Sequence, residues 1–478
     1  MAGMSAASAS KFLVGLLAIS SVGAGAADPE SPATTPPSVE ALQKKVDTMS
    51  QQLEELKAQL KQLQQQNGAP ATPPVAGPPA AAPGPAQAKM PEPTQAKAEP
   101  PMQPRPEERP PVDLSRWEKL SIWGYGEIYY THPTQNSSQT QADLARAVFG
   151  IGYQFNANTR FNSEFEVEHA VVSAGDVGEF EVEQFYVDHN LNNWASFQAG
   201  LFLIPSGLLN EHHEPTNFYG VQRNFVETLI IPTTWREGGL AFKAVSQNGF
   251  TGTVGITTGL NLSKWEFNPA EPLYNNAFEL QINNVSPMQA THQELSVADA
   301  QHLSGFASLN YTGTLGLLVG GSVFTGKAVP APNVADNQHT TLWELHARWT
   351  PAKFDLSAVY AHGYITNTAQ ANLQFPGASN PLPASFYGYY LQAAYRLWQR
   401  NEMSLNPFVR WERYNMASSY AGVTTTTPPA GFPQPFDTVT TVGLNYYLTP
   451  QVVFKIDYQH FLVNETFTRV DLGMGLSF

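Results

Sequence analysis

Apolar residues change their spacing twice along this chain, and each change marks a different element. Val39, Leu42, Val46, Met49, Leu53, Leu56, Leu60 and Leu63 recur at alternating intervals of three and four. This is a continuous heptad seam set in Gln, Lys and Glu, and it predicts a coiled coil over 38–66. Ser38 is placed to cap its start and Gly68 to end it. From 69 to 112 the periodicity vanishes into Pro and Ala, which predicts a semi-rigid spacer reaching up to roughly 130 Å when extended. From about Trp117 to the end, alternation of period two takes over. Val470, Leu472, Met474, Leu476 and Phe478 share one parity, and Arg469, Asp471, Gly473, Gly475 and Ser477 share the other. One strand earlier, Phe454, Ile456 and Tyr458 oppose Lys455, Asp457 and Gln459.

The breaks between these strands alternate in length. Short turns fall near Asn156–Asn158, Asn192–Asn193, Gln247–Gly249, Thr312–Gly313, Pro351–Ala352, Gln399–Asn401 and Thr449–Pro450. Longer polar connections lie between them, at 132–141, 173–178, 204–234, 259–300, 327–338, 366–384 and 416–435, with a last hairpin at Asn464–Glu465. The rhythm predicts an all-β antiparallel transmembrane barrel of about sixteen strands over 117–478. Aromatics near the strand ends, among them Trp123, Tyr125, Tyr129, Tyr130, Tyr387, Tyr389, Tyr390, Tyr446 and Tyr447, are expected in interfacial girdles.

Residues 1–26 read as a secretory signal: Lys11 precedes an apolar run, Phe12 to Ile19, and small residues end at Ala24-Gly25-Ala26. With the terminal Phe478, which resembles the C-terminal signature of bacterial outer-membrane proteins, this places the barrel in the outer membrane and the coiled coil in the periplasm. There are no cysteines, so a closed hydrogen-bonded barrel must supply the stability that disulfides otherwise give.

Charge alters the picture in one respect. Up to Pro111 there are nine basic and ten acidic residues, and beyond it seventeen against thirty. The acidity argues against nucleic acid as a partner and biases any enclosed lumen toward cations. The candidate chemistry lies in two places. Glu164, Glu166 and Glu168 share a face, and after the tight loop Gly175–Gly178 come Glu179, Glu181 and Glu183, again on one parity. If Val172 and Glu179 close that hairpin, Glu168 opposes Glu183. Like charges so placed need water or cations. A ladder of similar glutamates lacks the asymmetry of an acid/base pair, and no nucleophile motif is present, so no catalytic residue is expected. The second place is the long connection from Ile204 to Trp235. It holds Glu211, His212, His213, Glu214, Arg223 and Glu227, and Arg236 follows it. Folded inward, it would set acids and bases across a constriction. Adjacent His212 and His213 diverge in extended chain and no second spaced set supports them, so neither metal nor cofactor is expected.

The run from Gly200 to Gly239, GLFLIPSGLLNEHHEPTNFYGVQRNFVETLIIPTTWREGG, with Gly124-Tyr125-Gly126-Glu127 and the Glu-rich hairpin, resembles the porins grouped with the phosphate- and pyrophosphate-selective (O/P-type) channels. That resemblance implies a sixteen-stranded trimeric barrel whose third loop folds inward, and anion transport through an arginine ladder and loop lysines. The chain has no lysine cluster, and its inward loop brings only Arg223 and Arg236 as strong bases. The residues therefore point to passive diffusion of small hydrophilic solutes or ions. Anion selectivity is one alternative. A structural envelope tether or surface receptor, reaching the cell wall through the N-terminal segment, is another. Expected partners are outer-membrane lipid, the solutes, and two further copies of the chain.

Overall fold

The computed structural model describes residues 118–173, 178–269, 286–423 and 433–478. The expected signal, coiled coil and spacer lie outside the described residues. The strands are β1 (Leu120–Pro133), β2 (Gln141–Asn156), β3 (Thr159–Glu168), β4 (Phe180–Asn192), β5 (Ala195–Leu203), β6 (Arg236–Val245), β7 (Phe250–Thr258), β8 (Leu303–Tyr311) and β9 (Leu317–Lys327). They continue as β10 (His339–Trp349), β11 (Phe354–Ile365), β12 (Pro383–Tyr395), β13 (Trp398–Arg400), β14 (Met403–Tyr420), β15 (Phe436–Thr449), β16 (Val452–Phe461) and β17 (Arg469–Ser477). β13 prolongs β12 along β14, so the seventeen segments make sixteen staves. Every stave pairs antiparallel with its neighbour in sequence, and β17 returns to β1 from Tyr125↔Ser477 to Pro133↔Arg469. The barrel is closed. Phe478 completes the seam by exchanging backbone bonds with Gly124 at 2.8 and 3.0 Å.

Period-two alternation sorts the wall as the sequence suggests. Phe454, Ile456 and Tyr458 on β16 are 43–44% exposed, whereas Lys455, Asp457 and Gln459 are at most 5% exposed. The apolar side therefore faces outward and the polar side faces the lumen, as an aqueous-interior barrel in lipid requires. Among the described residues, no helix is long and apolar enough to cross a membrane.

One group of aromatics departs from the expected girdles. Tyr125, Tyr129 and Tyr390 are buried in the barrel, and Trp123 and Tyr447 point polar atoms inward, to Glu164 and to the carbonyl of Thr216. Their parity decides this: they share the inner face with Glu127, Arg146 and Asn445, and a buried hydroxyl or indole N–H needs a partner. Tyr130, on the opposite parity, is exposed.

Connections alternate between turns of two to five residues at one end and segments of seven or more at the other. The three longest, 204–235, 259–302 and 366–382, contribute to one apolar cluster with the inner wall. Trp235 lies 4.6 Å from Phe324 between ring centroids, Phe267 stacks on Phe375 at 4.2 Å, and Phe225 meets Phe461 edge-on at 5.3 Å.

Because Leu472 sits near the middle of β17 on the outer face, Leu472→Arg should cost about 2–4 kcal/mol of folding stability. Urea-dependent folding into lipid vesicles, followed by tryptophan fluorescence, measures it. An unchanged midpoint would mean that this face is not in lipid.

Candidate functional site

The acidic hairpin forms, but its ladder closes at Glu168 and Glu179 and not at Val172 and Glu179, a register displaced by four residues. His169 and Ala170 adopt left-handed backbone angles (φ 57° and 58°), and Glu168 N–H already donates to Glu179 O at 3.0 Å. The ladder therefore sets Glu166 against Glu181, and a bulge after Glu164 places Gln184 opposite it. Glu183 falls at that bulge without a direct partner across the strands. The expected juxtaposition is corrected by this early closure, which only backbone geometry reveals.

Each carboxylate is then handled differently. Glu164 accepts from Trp123 Nε1 at 2.6 Å and from Gln184. Glu181 pairs with Arg236, which also reaches Glu294 at 2.9 Å. Glu183 accepts from the Tyr125 hydroxyl at 2.9 Å. Glu166 is buried beside them, and its Oε1 has no hydrogen-bond partner. Glu168 is half-buried near the rim.

The segment 204–235 runs from β5 to the far wall and is held there mainly through its own backbone. Val221 N–H donates to Asp457 at 2.6 Å, Phe225 N–H to Glu412 at 2.6 Å, and Gly220 N–H to Asn445 at 3.3 Å. Arg410 reaches back to Tyr219 O at 3.1 Å and Arg469 to Gln222 at 2.6 Å. At its start, Arg146 Nη2 donates to His213 O at 2.6 Å. An irregular buried chain has no ladder of its own, so its N–H and C=O groups must find such partners.

The residues singled out in this segment separate. His213 is buried against Tyr125, 2.6 Å from its hydroxyl, and joins Glu164 and Glu183. Glu211 and His212 are exposed, and Glu214 accepts from Asn217 in its own turn. Arg223 donates to Thr234 at 3.1 Å, and burial beside Arg146 pushes its guanidinium down to about 10. Glu227 is a brace. It accepts from Leu208 N, Leu209 N, Asn224 Nδ2 and Tyr390 Oη at 2.6–2.9 Å, although burial still raises its carboxyl above the ordinary range.

Bases stand on the inner wall of β14, β16 and β17, and on β2 directly beside the acidic hairpin. Arg410 pairs with Glu412 at 3.0 Å, Arg469 with Asp471 at 3.0 Å and Arg146 with Glu127 at 2.7 Å, while Lys455 Nζ sits 3.6 Å above the Phe218 ring. Trp123, Tyr125, Glu127, Glu412 and Asp457 were not marked as functional by sequence reasoning. Inner-face parity shared with known charged positions was the available signal.

Antiparallel staves in a closed ring of sixteen, short turns at one end and a long third connection tied across the lumen are the architecture of one group of membrane proteins. The fold is that of the outer-membrane porins. Among solved structures with this porin fold, OmpF of Salmonella typhi, determined with daunomycin, aligns with a TM-score of 0.50 at 14% identity, over 75% of this chain and 97% of its own. The channel DcaP of Acinetobacter baumannii aligns over the same share at 10% identity and a TM-score of 0.45, covering 97% of its chain. An uncharacterised protein of Aquifex aeolicus is 29% identical over 355 residues, which is 71% of this chain and 75% of that relative. No family model matches.

Glu227→Ala should free the 204–235 segment while leaving the barrel ladder intact, because it orphans two backbone N–H groups and the Tyr390 hydroxyl. We expect a loss on the order of 3 kcal/mol in docking of the segment, visible as new proteolytic cuts within 204–235 at unchanged barrel mobility on gels. Protection equal to wild type would show that the apolar cluster alone holds it.

Burial, with Arg236 and Lys264 beside it, pushes the His292 imidazole down to about 3; Glu294 lies 3.6 Å away. A histidine held neutral in the fold takes up protons more readily unfolded. Its contribution is thus complete above the ordinary value near 6.5 and is lost as pH falls toward 3. Hydrogen-exchange protection factors at 286–302, taken relative to the intrinsic rate at each pH, should fall between pH 7 and 4, and His292→Gln should flatten that dependence.

Proposed function

We propose that the chain is a porin forming a water-filled outer-membrane channel for passive diffusion of small hydrophilic solutes or ions, narrowed by the 204–235 segment. The observation that carries this reading is the charged inner wall, crossed by a segment whose backbone is bonded to strands on the far side. Such a wall suits water and ions, and a constriction with acids on one side and bases on the other sets a transverse field. In this reading Glu166, Glu168 and Glu181 carry the acidic side, with Glu164 and Glu183 beneath them. Arg223 from the segment and Arg236 from the start of β6 modulate the field, and exposed Glu211 and His212 meet the solute. The net acidity beyond Pro111 favours cations. Three copies, joined through the heptad seam from Val39 to Leu63, would present the pores together, with the N-terminal segment in the periplasm toward the cell wall.

A second reading is anion selectivity of the phosphate type. It is favoured by the N–H groups of Arg146 Nη1, Arg410 Nη2 and Lys455 Nζ, which are buried without hydrogen-bond partners.

Planar-bilayer conductance in a salt gradient separates the two. Cation preference, falling toward neutrality in Glu166→Gln/Glu181→Gln, is the expected result. A reversal potential of opposite sign that survives the double variant would establish the anion reading, and silence in repeated reconstitutions would overturn both.

A further inference from the structure

We propose that Glu164, Glu183 and His213 form a binding site for a divalent transition-metal ion, with zinc as the fitting chemistry, where the inward segment docks on the acidic hairpin. The inference goes beyond conduction and does not depend on it. The ligand atoms of these three side chains lie within 4.8 Å of one another, and all three are buried. His213 Nε2 and Glu183 Oε1 are 3.8 Å apart. Two donors on a tetrahedral zinc stand about 3.3 Å apart, so small side-chain rotations close the site.

The hydrogen bonds around His213 leave buried carboxylate oxygens without a donor. His213 Nδ1 is 2.9 Å from Asn210 O, and a carbonyl only accepts, so Nδ1 carries the hydrogen. In the neutral ring, Nε2 then presents a lone pair. The Tyr125 hydroxyl lies 2.6 Å from Nε2 and 2.9 Å from Glu183 Oε2, yet has one proton for two acceptors. Glu183 is fully buried, and its Oε1 has no hydrogen-bond partner; the same is true of Oε1 of neighbouring Glu166. Arg146 gives its Nε to Glu127 and its Nη2 to the carbonyl of His213, and its remaining Nη1 makes no hydrogen bond to either carboxylate. Buried acceptors left without a donor are costly, and a divalent ion answers them together. The Nδ1–H to carbonyl bond is the usual device that orients a metal-binding imidazole, and Trp123 orients Glu164 in the same way. A polar cavity of about 300 Å³, lined by Trp123, Glu164 and Glu211, abuts the site and gives an entry path for the ion and for a water as fourth ligand.

The site joins β3 and β4 to the segment through His213, so an ion there would pin the segment to the acidic wall. The test uses the full chain in detergent, stripped with EDTA and dialysed. Zinc is then titrated by calorimetry, and bound metal is counted by mass spectrometry. We expect one zinc per chain, with affinity lowered at least about tenfold in His213→Ala and in the near-isosteric Glu183→Gln. His339→Ala, at a remote exposed histidine, should bind as wild type. Heat-modifiable gel mobility reports whether each variant has folded. Substoichiometric zinc on the wild-type chain would overturn the site, as would equal affinity in both ligand variants, and a protonated His213 paired with Glu183 would then account for the contact. Conductance is not read, so a silent barrel that binds zinc sinks only the channel, and a conducting barrel without zinc sinks only the metal.

Discussion

Everything else in this molecule depends on the seam between β17 and β1. Hydrocarbon offers no partner for a strand's N–H and C=O groups, so a sheet can cross a membrane only if its two edges meet. Here the last residue does the final joining, as Phe478 exchanges both backbone bonds with Gly124. Gly124 is suited to that place, since a Cβ there would stand 2.7 Å from the Phe478 ring. With both edges gone, each stave has one face for lipid and one for the interior, and the period-two pattern follows without further instruction.

The same demand for satisfied backbone acts a second time inside the barrel. The 204–235 segment has almost no regular structure, and its N–H groups therefore need acceptors from the wall. Asp457, Glu412 and Asn445 provide them at Val221, Phe225 and Gly220, and Glu227 provides them from within the segment. Charge-assisted bonds of this kind contribute about 1.5–3 kcal/mol each, more than neutral ones. Two of these wall carboxylates sit beside their own bases: Glu412 is bonded to Arg410, and Asp457 lies one strand from the Arg469–Asp471 pair. Removing either partner would leave an uncompensated buried charge. Many interior charges thus have a structural task before any solute arrives.

Strand order, turn positions and the inner face were legible in the sequence because each rests on a local periodicity. Lys455, Asp457 and Gln459 point inward wherever β16 lies, and the short breaks at Asn156–Asn158 and Thr449–Pro450 fall between strands as read. Register was less legible. Two left-handed residues at His169 and Ala170 and one bulge after Glu164 moved Glu183 away from Glu168, and no side-chain pattern announces a backbone angle. Tyr125 and Trp123 looked like girdle residues because aromatics near strand ends usually are, whereas their parity with Glu127 carried the truer signal. The meeting of His213 with Glu164 and Glu183 depends on how a long irregular segment crosses the barrel, which sequence spacing does not encode.

The inward segment has two unlike sides, and this constrains where water can run in the proposed channel. Val226, Leu229, Ile230, Ile231 and Trp235 join Leu260, Trp265, Phe267 and Met288 in one buried apolar cluster against Phe324, Phe386 and Tyr414. An apolar core of that kind excludes water and ions alike. The other side carries His213, Arg223 and the backbone facing the charged walls. In the proposed channel a conducting path therefore has to avoid that cluster and follow the polar side of the segment. Glu166 and Glu181 oppose each other on the hairpin wall, and Arg236 offsets their repulsion by bonding Glu181, so the charge that solutes would meet is already shaped by what the fold needs.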